Sequence, residues 1–238
     1  VHLSDAQCLP IIERTKQKRL RQQQQGNHKQ ESLCEFYQLT VETCPHYLLL
    51  DSSRIPNGET RLKCFPPIRS PSNREDLWTH GIHTTLVDMI ASDHSPCEPH
   101  LRHMESGNMR KAWGGLSGLQ YQLPATFSEA HRRGYSVDSM ALWWSENPSK
   151  LVPGMHRTRG TIETGKHADL CWWDPNYEGS PHSYQKEYHR WTGTSYYADT
   201  TTLRGRLLGT WLRGTQVYDG IHDQHLEAPG KLLLSSEH

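Results

Sequence analysis

The sequence predicts an α/β fold that closes with a small β-rich segment. Up to about residue 155, strand-like apolar runs alternate with helical stretches; beyond it the pattern changes to short strands set off by glycine turns. No internal repeat runs through either part. The expected boundaries are 1–155 for the α/β part and 156–238 for the β-rich part, which suits a 238-residue chain holding one large domain or one plus a smaller one.

Composition narrows the class. Twenty-six basic residues balance 26 acidic ones, so the formal net charge is zero and non-specific nucleic-acid binding by the whole chain is not expected. Only 34% of residues are hydrophobic, and the mean hydropathy is −0.80. Ten tyrosines, eight tryptophans and three phenylalanines nevertheless argue for a packed core rather than disorder. The longest apolar runs, such as Leu86–Ala91 and Leu232–Leu234, fall far short of the ~20 residues of a membrane helix, so no membrane span is expected. The chain opens on Val1 with no charged-then-apolar leader, and this start is expected to be an interior point of a longer protein. Cys8, Cys34, Cys44, Cys64, Cys97 and Cys171 contain no CxxC pair and read as free thiols in a reducing compartment. With no permitted Asn-x-Ser/Thr acceptor, an intracellular site is expected; cytoplasm, mitochondrion and peroxisome are not distinguished.

The elements follow in order. Val1–Ser4 reads as the tail of a buried strand. Asp5–Thr15 suits a short amphipathic helix with Asp5 near its N-cap and apolar Cys8, Leu9, Ile11 and Ile12. Lys16–Ser32 carries four successive glutamines and no apolar period, and reads as a solvated insertion, about 17–39 in full, or as a helix extension. Leu39–Leu50 reads as β-rich and broken by Pro45, Ile55–Gly58 as a turn, and Thr60–Phe65 as a strand stopped by Pro66 and Pro67. Ser72–His80 has the spacing of a capping box, Ser72 with Glu75. Leu86–Ser92 has the continuous apolar form of a strand buried on both faces, and ends in the polar cluster 93–97. His103–Gly115 reads as loop, Leu116–Gly134 and Val137–Trp144 as helices, Ala168–Trp173 as a strand, and Thr202–Gly214 with Gln216–Tyr218 as a hairpin.

Three side chains fall at or just past the ends of strand-like runs: His2, His46 and Asp93. In a parallel α/β barrel such positions converge on one mouth. Two imidazoles and a carboxylate suit a divalent metal with positions left for water, and a carboxylate touching metal and water can carry a proton to a leaving nitrogen. Plainer readings stand beside this. With 16 histidines any one is as readily surface or core, Asp93 equally suits a cap for the following turn, and Trp113 equally suits packing. Other chemistries lack their signatures: no G-x-S-x-G, P-loop, GxGxxG or zinc-ribbon spacing is present.

Several stretches together carry a resemblance: Val1–Ser4, Thr40–Tyr47 (TVETCPHY), Lys63–Arg69 (KCFPPIR), Ser92–Cys97 (SDHSPC), Lys111–Gly115 (KAWGG), Arg159–Asp174 and Arg204–Gly220. They resemble the C-terminal portion of the allantoinase family, cyclic amidohydrolases related to dihydroorotases and hydantoinases. The resemblance implies the C-terminal half of a TIM-like (β/α)8 barrel with a β-sandwich segment. It implies two divalent metals, usually zinc, bridged by a carbamylated lysine expected upstream of this chain. His2 and His46 then look like metal ligands, and Asp93 like both a metal ligand and the general acid/base. Water held between the metals would open the cyclic amide of allantoin to give allantoate. Cys64, Pro66, Ser95, Trp113 and Gly114 look like parts of the substrate pocket. The family tends toward homotetramers. Its first-strand His-x-His pair has no counterpart here, since His80 and His83 have the wrong spacing and position, so three of six ligands are expected in this chain. Two further readings are a related amidohydrolase acting on a dihydropyrimidine or hydantoin ring, and a non-catalytic truncated relative.

Overall fold

A computed structural model of the chain describes residues 2–25, 39–180, 192–199, 202–226 and 229–231. The Asp5 carboxylate accepts the Gln7 amide at 3.0 Å and opens a 3-10 turn, Ala6–Cys8, that runs into α1 (Leu9–Gln25). The helix is longer than the expected Asp5–Thr15 and takes in much of the stretch read as an insertion. Its Gln, Lys and Arg residues are good helix formers, so the lack of an apolar period did not end it. Leu9 is buried in the core, and Lys16 Nζ reaches both Asp88 carboxylate oxygens at 2.8 and 2.7 Å. The rest of the expected insertion, with Cys34, lies outside the described residues, as does Leu232–Leu234.

Leu39–Leu50 contributes only a two-residue strand, β1 (Glu42–Thr43), and then a helix, α2 (Pro45–Leu49). Pro45 therefore starts an element instead of breaking one: at the first helical position its missing N–H is no loss. The apolar run before Asp93 supplies β2 (Met89–Ile90), buried on both residues and parallel to β1 with Glu42 opposite Met89 and Thr43 opposite Ile90. Asp88 fastens the pair, its carboxylate accepting the Val41 amide at 2.7 Å and its backbone carbonyl accepting Asn147 Nδ2 at 2.6 Å. The N-terminal segment lies against β1 through Leu3 N–H to Glu42 O (2.8 Å) and Thr43 Oγ1 to Leu3 O (2.7 Å).

Two further expectations change. Thr60–Phe65 is not a strand; a 3-10 turn covers Thr60–Leu62, its first amides turned toward Glu59. The helix read as Ser72–His80 is α3 (Pro71–Asp76), continuing as a π-helical stretch through Leu77–Ile82. Ser70, not Ser72, accepts the Asn73 amide (3.3 Å), because Pro71 occupies the first helical position and pushes the cap before it. Beyond the loop come α4 (Leu119–Arg132), closed by Gly134 at φ +87°, and α5 (Val137–Ala141). One antiparallel sheet then follows in the order β3 (Leu170–Gly179), β4 (Leu203–Leu212), β5 (Thr215–Asp219) and β6 (Gln224–His225), with β4–β5 as the expected hairpin. Among the described residues no helix is long and apolar enough to cross a membrane. The described cysteines Cys8, Cys44, Cys64, Cys97 and Cys171 are free thiols.

The main core centres on Trp78, 1% exposed, whose indole donates to Leu48 O at 2.8 Å and packs against Tyr135 and Trp143. A second buried group, Tyr121, Ala125, Tyr197, Ala198 and Leu203, joins α4 to β4. There a β-carbon on Gly118 would stand 2.5 Å from the Tyr197 ring, so only glycine admits that approach.

An ionic chain laces the first core together. Arg133 stacks on Trp78 and pairs with Glu75 and Glu129, while Arg74 pairs with Glu75 and Asp51. Burial opposes ionisation at Glu75, Glu129 and Asp51. It is outweighed by hydrogen bonds from Arg133 to Glu75, from Arg132 and Arg133 to Glu129, and from Ser53 with the Arg74 charge to Asp51. All three carboxyls titrate below their ordinary values, so their contribution is complete above about pH 5 and is lost as pH falls through the depressed folded values. Resistance to urea is expected to hold from neutral pH to about pH 5 and to fall from there toward about pH 3. Glu75→Gln should show a shallower slope than the parent, and an identical slope would remove Glu75 from this account.

Candidate metal centre

The parallel pairing of β1 and β2 carries the chain out of both strands at the same end. From β1 it passes through Cys44 and Pro45 to His46 in the first turn of α2; from β2 it reaches Asp93, whose backbone turns at φ +44°. His2 stands beside them. Asp93 lies between the two imidazoles, Oδ1 3.5 Å from His2 Nε2 and Oδ2 4.0 Å from His46 Nε2. The three residues expected at strand ends are thus brought to one place.

The environments of the two imidazoles differ. His2 is partly exposed, and its Nδ1 sits 2.7 Å from Glu42 Oε1, although the angle is not that of a directed hydrogen bond. A carboxylate at that distance favours the proton on Nδ1 and leaves the Nε2 lone pair toward Asp93, the arrangement typical of metal-binding histidines. His46 is fully buried, and neither ring nitrogen has a hydrogen-bond partner. Burial, with the nearby His2 charge, drives its pKa down to about 3, so it is a neutral imidazole at any physiological pH. A buried polar side chain left unpartnered costs about 1–3 kcal/mol, and an electrophile at Nε2 is the partner that this position lacks. The donor set of two imidazoles and a carboxylate fits a divalent ion. The Cys44 thiol belongs to the same cluster: one atom each of His2, Cys44 and Asp93 lie within 4.8 Å of one another.

The residues expected at a pocket wall converge next to this centre. Ser95 Oγ donates to Asp93 O at 3.3 Å, and its amide donates to Leu116 O at 2.9 Å. Gly115 N–H reaches Lys63 O at 2.8 Å, and any side chain at Gly115 would collide with Ser95, so segments 63–66, 93–97 and 113–116 are held together. Cys64 is buried, and burial raises its thiol pKa to about 11. The Pro66 carbonyl accepts the Tyr47 hydroxyl at 2.7 Å, tying the wall to the residue after His46. Gly114 lies under the Phe65 ring, and Trp113 is 49% exposed, so its indole is not absorbed by the core.

Two residues that sequence reasoning passed over hold this wall in shape. Arg102 is fully buried and donates to Ser95 O (3.0 Å), Trp113 O (3.3 Å) and, closely, Gly115 O. Burial lowers its pKa, and three backbone carbonyls face the guanidinium and offset that cost. His94 Nδ1 accepts the Gly118 and Leu119 amides at 3.1 and 3.2 Å, capping α4 where Gly118 offers no side chain, which puts its own proton on Nε2. Burial, then the Arg102 charge, lowers the His94 pKa in keeping with that neutral form.

No family model matches the chain. The chain is 42% identical over 199 residues to an allantoinase of Arabidopsis thaliana, a match covering 83% of this chain and 38% of the relative. It is 36% identical over 239 residues to an allantoinase of Streptomyces avermitilis, covering all of this chain and 47% of that protein. Among solved structures it is similar to the D-hydantoinase of Bacillus sp. AR9, with a TM-score of 0.73, 24% identity, and coverage of 94% of this chain and 45% of that one. The chain spans less than half the length of each of these relatives. In sequence it is similar to allantoinases, and it shares the α/β fold of hydantoinases.

The Arg102 hydrogen bonds set a measurable expectation. Arg102→Lys keeps the charge but replaces a planar fork by a single ammonium, which cannot serve three carbonyls at once. Urea unfolding should show a loss of about 1.5–3 kcal/mol, with faster proteolysis between residues 95 and 115. Parent-like stability and protection would mean that Arg102 does not hold the wall.

Proposed function

We propose, for a chain akin to the allantoinases in sequence and to the hydantoinases in fold, that His2, His46 and Asp93 are its share of a metal centre that hydrolyses a cyclic amide, opening allantoin to allantoate. The observation that carries this reading is the meeting of the three donors at the common end of β1 and β2, with both His46 ring nitrogens buried and unpartnered. In this reading residues 1–155 form the C-terminal part of a TIM-like barrel and 156–238 its β-sandwich segment. A carbamylated lysine and a His-x-His pair from outside this chain complete the ligand set, and the working protein is a homotetramer.

The bound metals, two zinc ions in this reading, would supply Lewis acidity and an activated water. The chain's own residues do the rest. His2 and His46 bind through Nε2, His2 oriented by Glu42 and His46 by burial. A carboxylate oxygen of Asp93 takes the proton from the attacking water and delivers it to the ring nitrogen as the carbonyl C–N bond breaks, so that one water is consumed and no charge is stranded. Cys64, Pro66, Ser95 and Gly114 shape the pocket wall, with backbone groups facing the ring's amide edges, and Trp113 covers the ring. The hydantoinase-like fold supports a second reading, a hydantoin or dihydropyrimidine ring as substrate. A panel of these rings beside allantoin separates the two.

The 238-residue chain by itself, with three of the expected six ligands, should show no allantoin turnover above a buffer blank; measurable turnover would overturn the incomplete-centre reading. In a complete protein, His46→Ala or Asp93→Asn should lower kcat at least ~100-fold. Near-parent activity in either variant would remove that residue from the centre.

A further inference from the structure

We propose that Gln122 is a positioning residue for this centre: its buried side-chain amide grips the Ser92 carbonyl and thereby aims the Asp93 carboxylate. The inference rests on the metal-centre reading above and deepens it. Ala91 N–H still bonds Thr43 O of β1 at 2.9 Å, whereas Ser92 and Asp93 lie past the paired residues of β2. There α4 takes over. Gln122 Nε2 donates to Ser92 O at 2.7 Å, and on the other side of Asp93 the His94 Nδ1 accepts the Gly118 and Leu119 amides. Asp93 thus hangs between two anchors, both supplied by the start of α4. It needs them, because its φ of +44° lies in the left-handed region, which an L side chain keeps only where its surroundings enforce it. Released at Ser92, the backbone would relax to negative φ, swing the Cα–Cβ bond and carry the carboxylate away from His2 and His46.

Two features set Gln122 apart from a residue kept for packing. It is 1% exposed, and its Oε1 is buried with no hydrogen-bond partner among the described residues. The amide cannot turn over to relieve this, because Ser92 O only accepts and so requires the NH2 group. An apolar side chain of the same length would fill the space without burying an unpaired oxygen, so packing alone would favour replacement. The same helix also meets the element that carries His46: Tyr121, beside Gln122, belongs to the buried group on which Leu49 of α2 packs. One helix therefore refers Asp93 and His46 to a common frame, and the Gln122 amide is the link by which it reaches Asp93.

Cobalt(II) titration of the full 238-residue chain tests this, with the visible d–d bands that disappear in His46→Ala reporting this centre. Gln122→Met, of like length but without the donor, should bind cobalt at least ~10-fold more weakly. It should unfold in urea no earlier than the parent, since it also removes the unpaired oxygen, so the loss is read on folded protein. Gln122→Leu repeats the reading with a second apolar shape. In an Asp93→Ala background, where the grip has nothing to aim, Gln122→Met should change the remaining affinity by less than ~2-fold. Parent-like affinity in Gln122→Met and Gln122→Leu would overturn the Gln122 proposal and leave the metal-centre reading intact. A full ~10-fold loss in the Asp93→Ala background would show that Gln122 acts on something other than Asp93, and would overturn it too. Bands absent from the parent, or unchanged in His46→Ala, would overturn the metal-centre reading and the proposal with it.

Discussion

The pairing of two very short strands governs the rest of the molecule. β1 and β2 are each two residues long, and their parallel register sends His46 and Asp93 out of the same end. Such a brief ladder cannot hold its register alone. The Asp88 carboxylate supplies the missing constraint by accepting the Val41 amide across the pair. A hydrogen bond to a charged acceptor contributes about 1.5–3 kcal/mol, whereas the partly exposed Lys16–Asp88 ion pair contributes under about 1. The hydrogen bond to the Val41 amide therefore reinforces the register set by Met89 N–H to Val41 O and Ala91 N–H to Thr43 O, and Lys16 uses what remains of the carboxylate to seat α1. A slip of one residue would turn every side chain of the strand to the opposite face and separate the donors.

The centre built on that register is held differently on its two sides. His2 is oriented by a carboxylate and remains partly open to solvent; His46 is oriented by packing alone. The wall beside them is fixed by backbone carbonyls gathered around Arg102 and by two amides gathered on His94. Neither residue needs to touch a ligand to matter, because each sets where Asp93, Ser95 and Gly115 stand. The Gly118 approach to Tyr197 then passes the position of that wall to the start of β4.

What was legible in the sequence was whatever local chemistry announces. The end of a continuous apolar run marked Asp93, the glycine turns marked the β4–β5 hairpin, and Gly134 marked the end of α4. Readings failed where local signals compete. Pro45 looks like a breaker yet opens a helix, Pro71 shifts the expected cap from Ser72 to Ser70, and Thr60–Phe65 has strand composition but is turned by Glu59. Arg102 gave no local signal, because its partners are carbonyls of residues 95, 113 and 115, which carry no side-chain signature.

The Lys16 clasp also divides α1 into two stretches under different structural constraint. As far as Lys16 the helix is read by the core through Leu9 and by β2 through Asp88. From residue 17 to 21 every side chain is exposed, so none of them enters the core. Substitutions at 17–21 therefore touch neither the Asp88 clasp nor the strand register it holds, and the donor set is insulated from the helix's outer turns.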